Sequence, residues 1–178
     1  MSVGRTPGSE SAGPRGEEEE VGSPTWVDAA PFRAHVAHLM AAGALSMEAV
    51  ALLAGVRTRA VARLMAGRDT GRPVPRRINA ELARLLLEVR CSDVRALRCR
   101  IIGAQTVIAR SRLLRSVGWS ESRLAAALGV DRSSLAGLLE GSATTCTALV
   151  ALRAAAAVRT VQAIDSQQLG AVVRRHVA

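Results

Sequence analysis

The chain has no lysine and no tyrosine, and Phe32, Trp26 and Trp119 are its only aromatic residues. So few rings argue against single-stranded nucleic acid binding, which stacks successive bases on several exposed aromatics. They also require an interior built from Leu, Val, Ile and Ala at close helix spacing. Cysteine is sparse and odd in number (Cys91, Cys99, Cys146) with no Cys-x-x-Cys spacing. Reduced, partly buried thiols in a cytosolic protein are therefore expected, not a disulfide framework or a zinc knot. No apolar run reaches the roughly 18 residues that a membrane helix needs, and no charged-then-apolar leader opens the chain. A soluble protein inside the cell is expected. Acidic residues are scattered singly, and no histidine falls in a Ser/His/Asp spacing. No glycine-rich phosphate loop follows a strand, so neither an enzyme nor a cofactor is expected. His35 and His38 stand three apart without a third ligand, which makes a poor metal site.

What is present is arginine. The 178 residues carry a net charge of +9, and every basic side chain in it is a guanidinium, the better bidentate partner for phosphate and guanine. The charge is uneven. Residues 1–25 hold two arginines against five glutamates, while 26–90 hold ten against five acids and 91–178 twelve against five. A basic body behind an acidic tail points to a polyanion as partner. The tail is Gly, Ser, Pro and Glu with almost nothing to bury, and is expected to be disordered. Its Glu17–Glu20 run is either a solvated segment or a DNA mimic that competes for the basic face.

The pattern around which the rest is arranged is Ser46–Gly67, SMEAVALLAGVRTRAVARLMAG. It reads as two short helices joined by a tight turn, a helix-turn-helix signature. Ala51 must be small where the second helix crosses it, and Gly55 supplies the positive φ of the turn. Val56, Val61 and Leu64 provide the locking apolar side. Arg57, Thr58, Arg59, Ala62, Arg63 and Ala66 remain outward, a face of small residues and arginines suited to a DNA major groove.

A shift of 74 residues lays Ser46–Val56 on Ser120–Val130 without a gap. Ala51/Ala125, Gly55/Gly129, Leu64/Leu138 and Gly67/Gly141 are identical, and Val50/Leu124, Val61/Leu135 and Met65/Leu139 stay apolar. The chain is accordingly expected to be all-α, with two tandem helix-turn-helix units related by an internal repeat. The first unit spans 26–90, the second 101–164, and a short C-terminal helix or tail covers 165–178. In the second, Asp131, Arg132, Ser133, Ala136, Gly137 and Glu140 replace the outward residues of the first. Glu140 repels phosphate, so this unit either reads weakly or has become a packing partner.

Further elements follow from periodicity and caps. A helix starts at Pro31 and runs to Ala42, where Gly43 ends it; Ser46 caps Met47–Ala54; and the outward-facing helix is Thr58–Ala66. RDTGRPVPRRIN after Gly67 is an extended loop carrying Arg68, Arg72, Arg76 and Arg77, held open by Pro73 and Pro75. It contacts either phosphate or, as a Gly-Arg-Pro arm, the minor groove of A·T-rich DNA. Asn79 caps a helix to Val89 with Leu82, Leu85 and Leu86 inward. Residues 90–100 form a basic connector with a partial helix starting at Ser92 or Asp93. Helices at Gln105–Ser116, Glu121–Leu128 and Arg132–Glu140 follow. Thr145 caps an alanine-rich helix from Cys146 to Ile164, and Asp165 or Ser166 starts the last segment. Arg110, Arg112 and Arg115 either hold a DNA backbone or form a solvated face.

VDAAPFRAHVAHLMAAGALSMEAVALLAGV, then GRPVPRRINAELARLLLEV and a Gly-Trp-Ser-Glu unit, resembles small helix-turn-helix DNA-binding proteins of high-GC actinobacteria and their phages. The likeness covers about residues 26–155. These proteins look like Cro/repressor-type binders, and the resemblance implies sequence-selective recognition of double-stranded DNA. Departures are Arg57, where a capping Ser is more usual, and the acidic, glycine-containing second recognition helix. The expected function is transcription regulation in the cytoplasm, on the nucleoid. The expected DNA-binding residues are Arg57, Thr58, Arg59, Arg63, Arg68, Arg72, Arg76, Arg77, Arg132 and Ser133. A homodimer through the C-terminal helices is a further expectation. The alternatives are an architectural protein that coats DNA, or a protein-interaction module with degenerate units.

Overall fold

Short side chains with an oxygen acceptor stand before four of the apolar runs, and each folds back onto the first turn of a helix. Ser46 Oγ accepts from Ala49 N (3.3 Å), Asn79 Oδ1 from Glu81 N (2.7 Å), Ser120 Oγ from Arg123 N (3.2 Å) and Asp131 Oδ1 from Ser134 N (2.7 Å). Each satisfies an amide that the helix itself leaves without a partner. The computed structural model describes residues 25–66 and 73–176, with side chains through 164. The chain is mostly helical. In order the elements are Trp26–Asp28 (β1), Ala30–Gly43 (α1), Met47–Leu53 (α2), Thr58–Ala66 (α3), Arg77–Asn79 (β2), Ala80–Glu88 (α4) and Cys91–Cys99 (α5). Then come Ile101–Gly103 (β3), Gln105–Ser116 (α6), Glu121–Leu128 (α7), Arg132–Glu140 (α8), Thr145–Thr147 (β4) and Ala148–His176 (α9). The succession strand, three helices, strand, helix occurs from β1 to α4 and again from β3 to α9.

The strands are the main departure from the expected all-helical chain. β1 pairs antiparallel with β2, Val27 opposite Ile78, and β3 pairs antiparallel with β4, Ile102 opposite Cys146. Each ribbon ties the start of one helix to the start of another: Ala29 N donates to Arg76 O and Ala80 N to Thr25 O, both at about 2.8–2.9 Å. Ala104 N to Thr144 O and Ala148 N to Arg100 O repeat the arrangement. Thr145 therefore belongs to a strand and does not cap a helix; Thr147 Oγ1 accepts from Val150 N instead (3.4 Å). Nor does a new helix begin at Asp165 or Ser166. α9 runs unbroken to His176, with no proline in its length to stop it. The connector expected at 90–100 is a full helix, α5, with the Asp93 carboxylate accepting from Arg90 N (2.8 Å).

Glycine works differently at its two informative positions in the first half. Gly55 has φ +65° and turns the chain as expected. Gly43 does not: Ala44 takes the left-handed conformation (φ 45°), while a Cβ on Gly43 would stand 2.6 Å from Val94 Cγ1. Gly43 is small because α5 crosses there.

Two apolar clusters result. One gathers Val36, Leu39, Val50, Val61, Leu64, Leu86 and Val94; the other Val107, Leu114, Leu124, Leu128, Leu135 and Leu138. In α4, Leu86 and Ala83 are buried, Leu82 and Leu85 only partly, and Leu87 is exposed. α9 completes both clusters. Leu149 and Ala156 enter the first, Val150, Ala154 and Ala157 the second, so the helix carries two neighbouring apolar stripes. Its leading half is thus occupied within its own chain. Among the described residues, no single helix is long and apolar enough to cross a membrane.

Candidate nucleic-acid interface

α2 and α3 are locked at the turn. Val56 N donates to Ala51 O (2.9 Å) across Gly55, and Ala51 is wholly buried. α3 seats itself through Val61 and Leu64, 0% and 1% exposed. A 3.6-residue repeat then turns Arg57, Arg59 and Arg63 to the exterior, where all three are exposed; Thr58 and Ala62 are half-buried beside them. The outer surface of α3 is therefore a rigid cationic ridge on an apolar footing. Among the described residues the ion pairs are Arg84 with Glu81 and Glu88, and Arg115 with Glu121. Among the described residues no carboxylate pairs with Arg57, Arg59 or Arg63.

Arg76 and Arg77 are also exposed and have no acidic partner among the described residues. Arg77 opens β2 opposite Asp28 and so is not in an extended loop, with buried Ile78 beside it, while Arg76 stands just before the strand, its carbonyl accepting from Ala29 N. The approach to the ribbon is anchored by Arg33, whose Nη1 donates to Pro75 O (2.7 Å). Arg63 and Arg77 line one cleft, so α3 and the ribbon present their cations together. Arg68 and Arg72 lie outside the described residues, as do Glu17–Glu20 and the rest of the acidic tail.

The second half is built from similar elements with different electrostatics. Arg132 and Ser133 are exposed on α8, but Arg132 Nη2 donates to Ser122 Oγ (3.0 Å) and Ser133 Oγ to Asp131 Oδ1 (2.7 Å). The amide of Ser134, and then the two serine hydroxyls, hold the Asp131 carboxyl below the usual carboxylate range. Glu140 is exposed at the other end of the helix. Nor are the α6 arginines a free set for a DNA backbone. Arg110 Nη1 donates to Ala151 O (3.4 Å), Arg112 Nη2 to Leu139 O (3.3 Å), and Arg115 pairs with Glu121 (3.0 Å). Arg123 covers the Trp119 ring at 4.1 Å.

Sequence reasoning overlooks Arg153. From α9 its Nη1 donates to Leu128 O (3.0 Å) and its Nη2 to Gly43 O (2.7 Å), at the ends of α7 and α1. A cation there meets the negative ends of both helix dipoles. Arg98 Nη2 donates to the neighbouring Ala42 O (2.6 Å). Burial, and then the like charge of Arg98, draw the Arg153 pKa down from the ordinary guanidinium value. The signal in the sequence is a single charge within the otherwise apolar ALVALRAAAAV, residues 148–158.

Other chemistry is sparse. Among the described residues no three His, Cys, Asp or Glu side chains gather as metal ligands. His35 Nε2 hydrogen-bonds Val89 O at 2.9 Å. The cysteines are free, and burial raises the Cys146 thiol pKa. Comparison with protein-family models, curated proteins and solved structures returns no match.

Proposed function

We propose that this chain is a sequence-selective regulator of transcription that binds double-stranded DNA, with α3 as its reading helix. On this reading α2, Gly55 and α3 form a helix-turn-helix, and α7, Gly129 and α8 are its tandem copy. The observation that carries the proposal is the α3 ridge: Arg57 at the turn, with Arg59 and Arg63 on the helix, all exposed and without acidic partners among the described residues, above two fully buried side chains that fix the helix. A rigid helix presents guanidinium groups to the O6 and N7 acceptors of guanine in the major groove with its backbone already ordered, so that only the arginine side chains lose freedom on binding. Arg76 and Arg77 at the adjoining ribbon, together with Arg68 and Arg72, serve the backbone or the minor groove, and set register more than sequence.

The copies are unequal. α8 carries Glu140, and its Arg132 and Ser133 have partners within the chain. The second unit acts chiefly as a packing partner, and the preferred site is asymmetric. Action on the chromosome places the protein in the cytoplasm, on the nucleoid. Any homodimer through α9 uses a part of it outside the stretch from Leu149 to Ala157, which is engaged internally.

Selection of random duplexes tests the reading. An enriched motif, with Arg59→Ala or Arg63→Ala losing about 1–3 kcal/mol and relaxing one position of it, supports base readout. Strong binding without any motif favours DNA coating, and no duplex affinity at low salt favours a protein-interaction module.

A further inference from the structure

A cleft of about 190 Å³ opens where α3 meets the β1–β2 ribbon. Leu64, Ile78 and Leu82 give it apolar lining, and Trp26 and Pro75 add to it. Trp26 is 56% exposed, a large ring left open beside this surface. Arg63 and Arg77 line the same cleft, and among the described residues no acidic one does. Two guanidiniums that form no ion pair among the described residues, next to an indole and aliphatic side chains, define their complement. It is a small anion with a flat apolar body. A carboxylate fits the guanidinium fork, and a ring packs edge or face against the indole. The volume limits the body: a cavity of roughly 150 Å³ accepts benzene, so the cleft holds one ring with its acid group.

We infer that this cleft is a binding site for a small aromatic carboxylate, and that its occupant withdraws Arg63 from DNA. The first part rests on the cleft alone; the second rests on α3 being the reading helix. Occupancy engages the Arg63 guanidinium in a carboxylate pair, so ligand and operator compete for one side chain. Each then weakens the other by the same factor, as linkage requires.

The test uses the full chain labelled with ¹⁵N, which gives an indole N–H signal from Trp26 and another from Trp119. Benzoate is the probe; acetate supplies the charge without the ring, and benzyl alcohol the ring without the charge. Benzoate is expected to shift the Trp26 signal saturably and leave Trp119 still, with both controls at least about tenfold weaker, the loss of one charge-assisted hydrogen-bond pair or of the ring's contacts. Arg63→Gln and Arg77→Gln should each weaken benzoate by about tenfold with unchanged melting temperature. Equal shifts at both indoles, or benzyl alcohol binding as well as benzoate, would overturn the site. Benzoate binding that appears only when Glu17, Glu18, Glu19 and Glu20 are replaced by glutamine would make the chain's own tail the occupant, which also overturns it. In a second arm, saturating sodium benzoate should lower wild-type affinity for the selected duplex by about five- to tenfold relative to equal sodium acetate. Specific benzoate binding with unchanged DNA affinity would refute the competition. Specific benzoate binding by a chain without duplex affinity would refute the DNA reading and leave the ligand class standing.

Discussion

Gly55 and Gly129 have nearly the same backbone conformation, φ +65° and +66°, in different surroundings. Around Gly55 a Cβ would meet nothing within 4 Å, whereas at Gly129 it would fall 1.8 Å from Arg153 Nη1 and 2.7 Å from Cζ. Alanine at either position bears the left-handed strain of an L residue, about 1–2 kcal/mol. Gly129→Ala must in addition displace Arg153, which gives up its bonds to Leu128 O and Gly43 O. A hydrogen bond from a charged donor contributes about 1.5–3 kcal/mol, but Arg153 is half-buried and water can replace part of it, so about 1–2 kcal/mol for the pair is the expected loss. The totals are then about 1–2 kcal/mol for Gly55→Ala and about 2–4 kcal/mol for Gly129→Ala. At about 2–4 °C per kcal/mol for a chain of this size, the second variant should lose roughly twice the melting temperature of the first. Urea titration of both variants measures this. In an Arg153→Met background the cost of Gly129→Ala should fall to that of Gly55→Ala, the coupling that a double-mutant cycle isolates. Equal losses for the two glycine variants in the wild-type background would show that Arg153 does not join the ends of α1 and α7.

Gly43→Ala places a methyl against Val94 and Leu45 and should destabilise by about 1–3 kcal/mol in the same urea titration, the usual cost of overpacking. Arg76→Ala or Arg77→Ala should weaken binding to every duplex and lower the salt slope by about 1 per lost phosphate contact, whereas Arg112→Ala should leave that slope unchanged. Asp131 caps α8 with a depressed pKa, so its contribution to stability is present above the ordinary aspartate pKa and is lost as pH falls through the lowered value. Asp131→Asn, which keeps the acceptor but not the charge, should flatten that acidic limb in thermal melts. Burial raises the Cys146 thiol pKa and leaves less thiolate at neutral pH, so iodoacetamide should modify exposed Cys99 well before Cys146.

The helices were legible because each level of the sequence agreed: apolar spacing, a capping oxygen, and a glycine at the turn. Glu121–Leu128 and Arg132–Glu140 follow directly from such signals, while Gln105–Ser116, with Ala104 before it and no capping side chain, rests on apolar spacing. The strands were not legible. Three residues are too few to show alternation, and Arg77–Asn79 lies beside prolines and arginines while its partner, Trp26–Asp28, is some 50 residues away. α9 hid its role for another reason. Leu149 and Ala156 face one cluster and Val150, Ala154 and Ala157 the other, so no single amphipathic face stands out from the alanines. Of the candidate interface, the exposure of Arg57, Arg59 and Arg63 followed from helical periodicity. The internal partners of Arg110 and Arg112 did not, because they come from α9 and α8, 41 and 27 residues along the chain; that of Arg115, Glu121, is only across the next turn and did not stand out as a pair.

The place of α9 has a consequence for biosynthesis. A ribosome releases the chain from its N-terminus, so α1 to α5 emerge long before the helix whose Leu149 and Ala156 fill their interior. The earliest segments must wait, incompletely consolidated, until α9 has been translated. A nascent fragment stopped short of residue 148 would have neither interior finished. Completing either interior therefore depends on the one helix that both share.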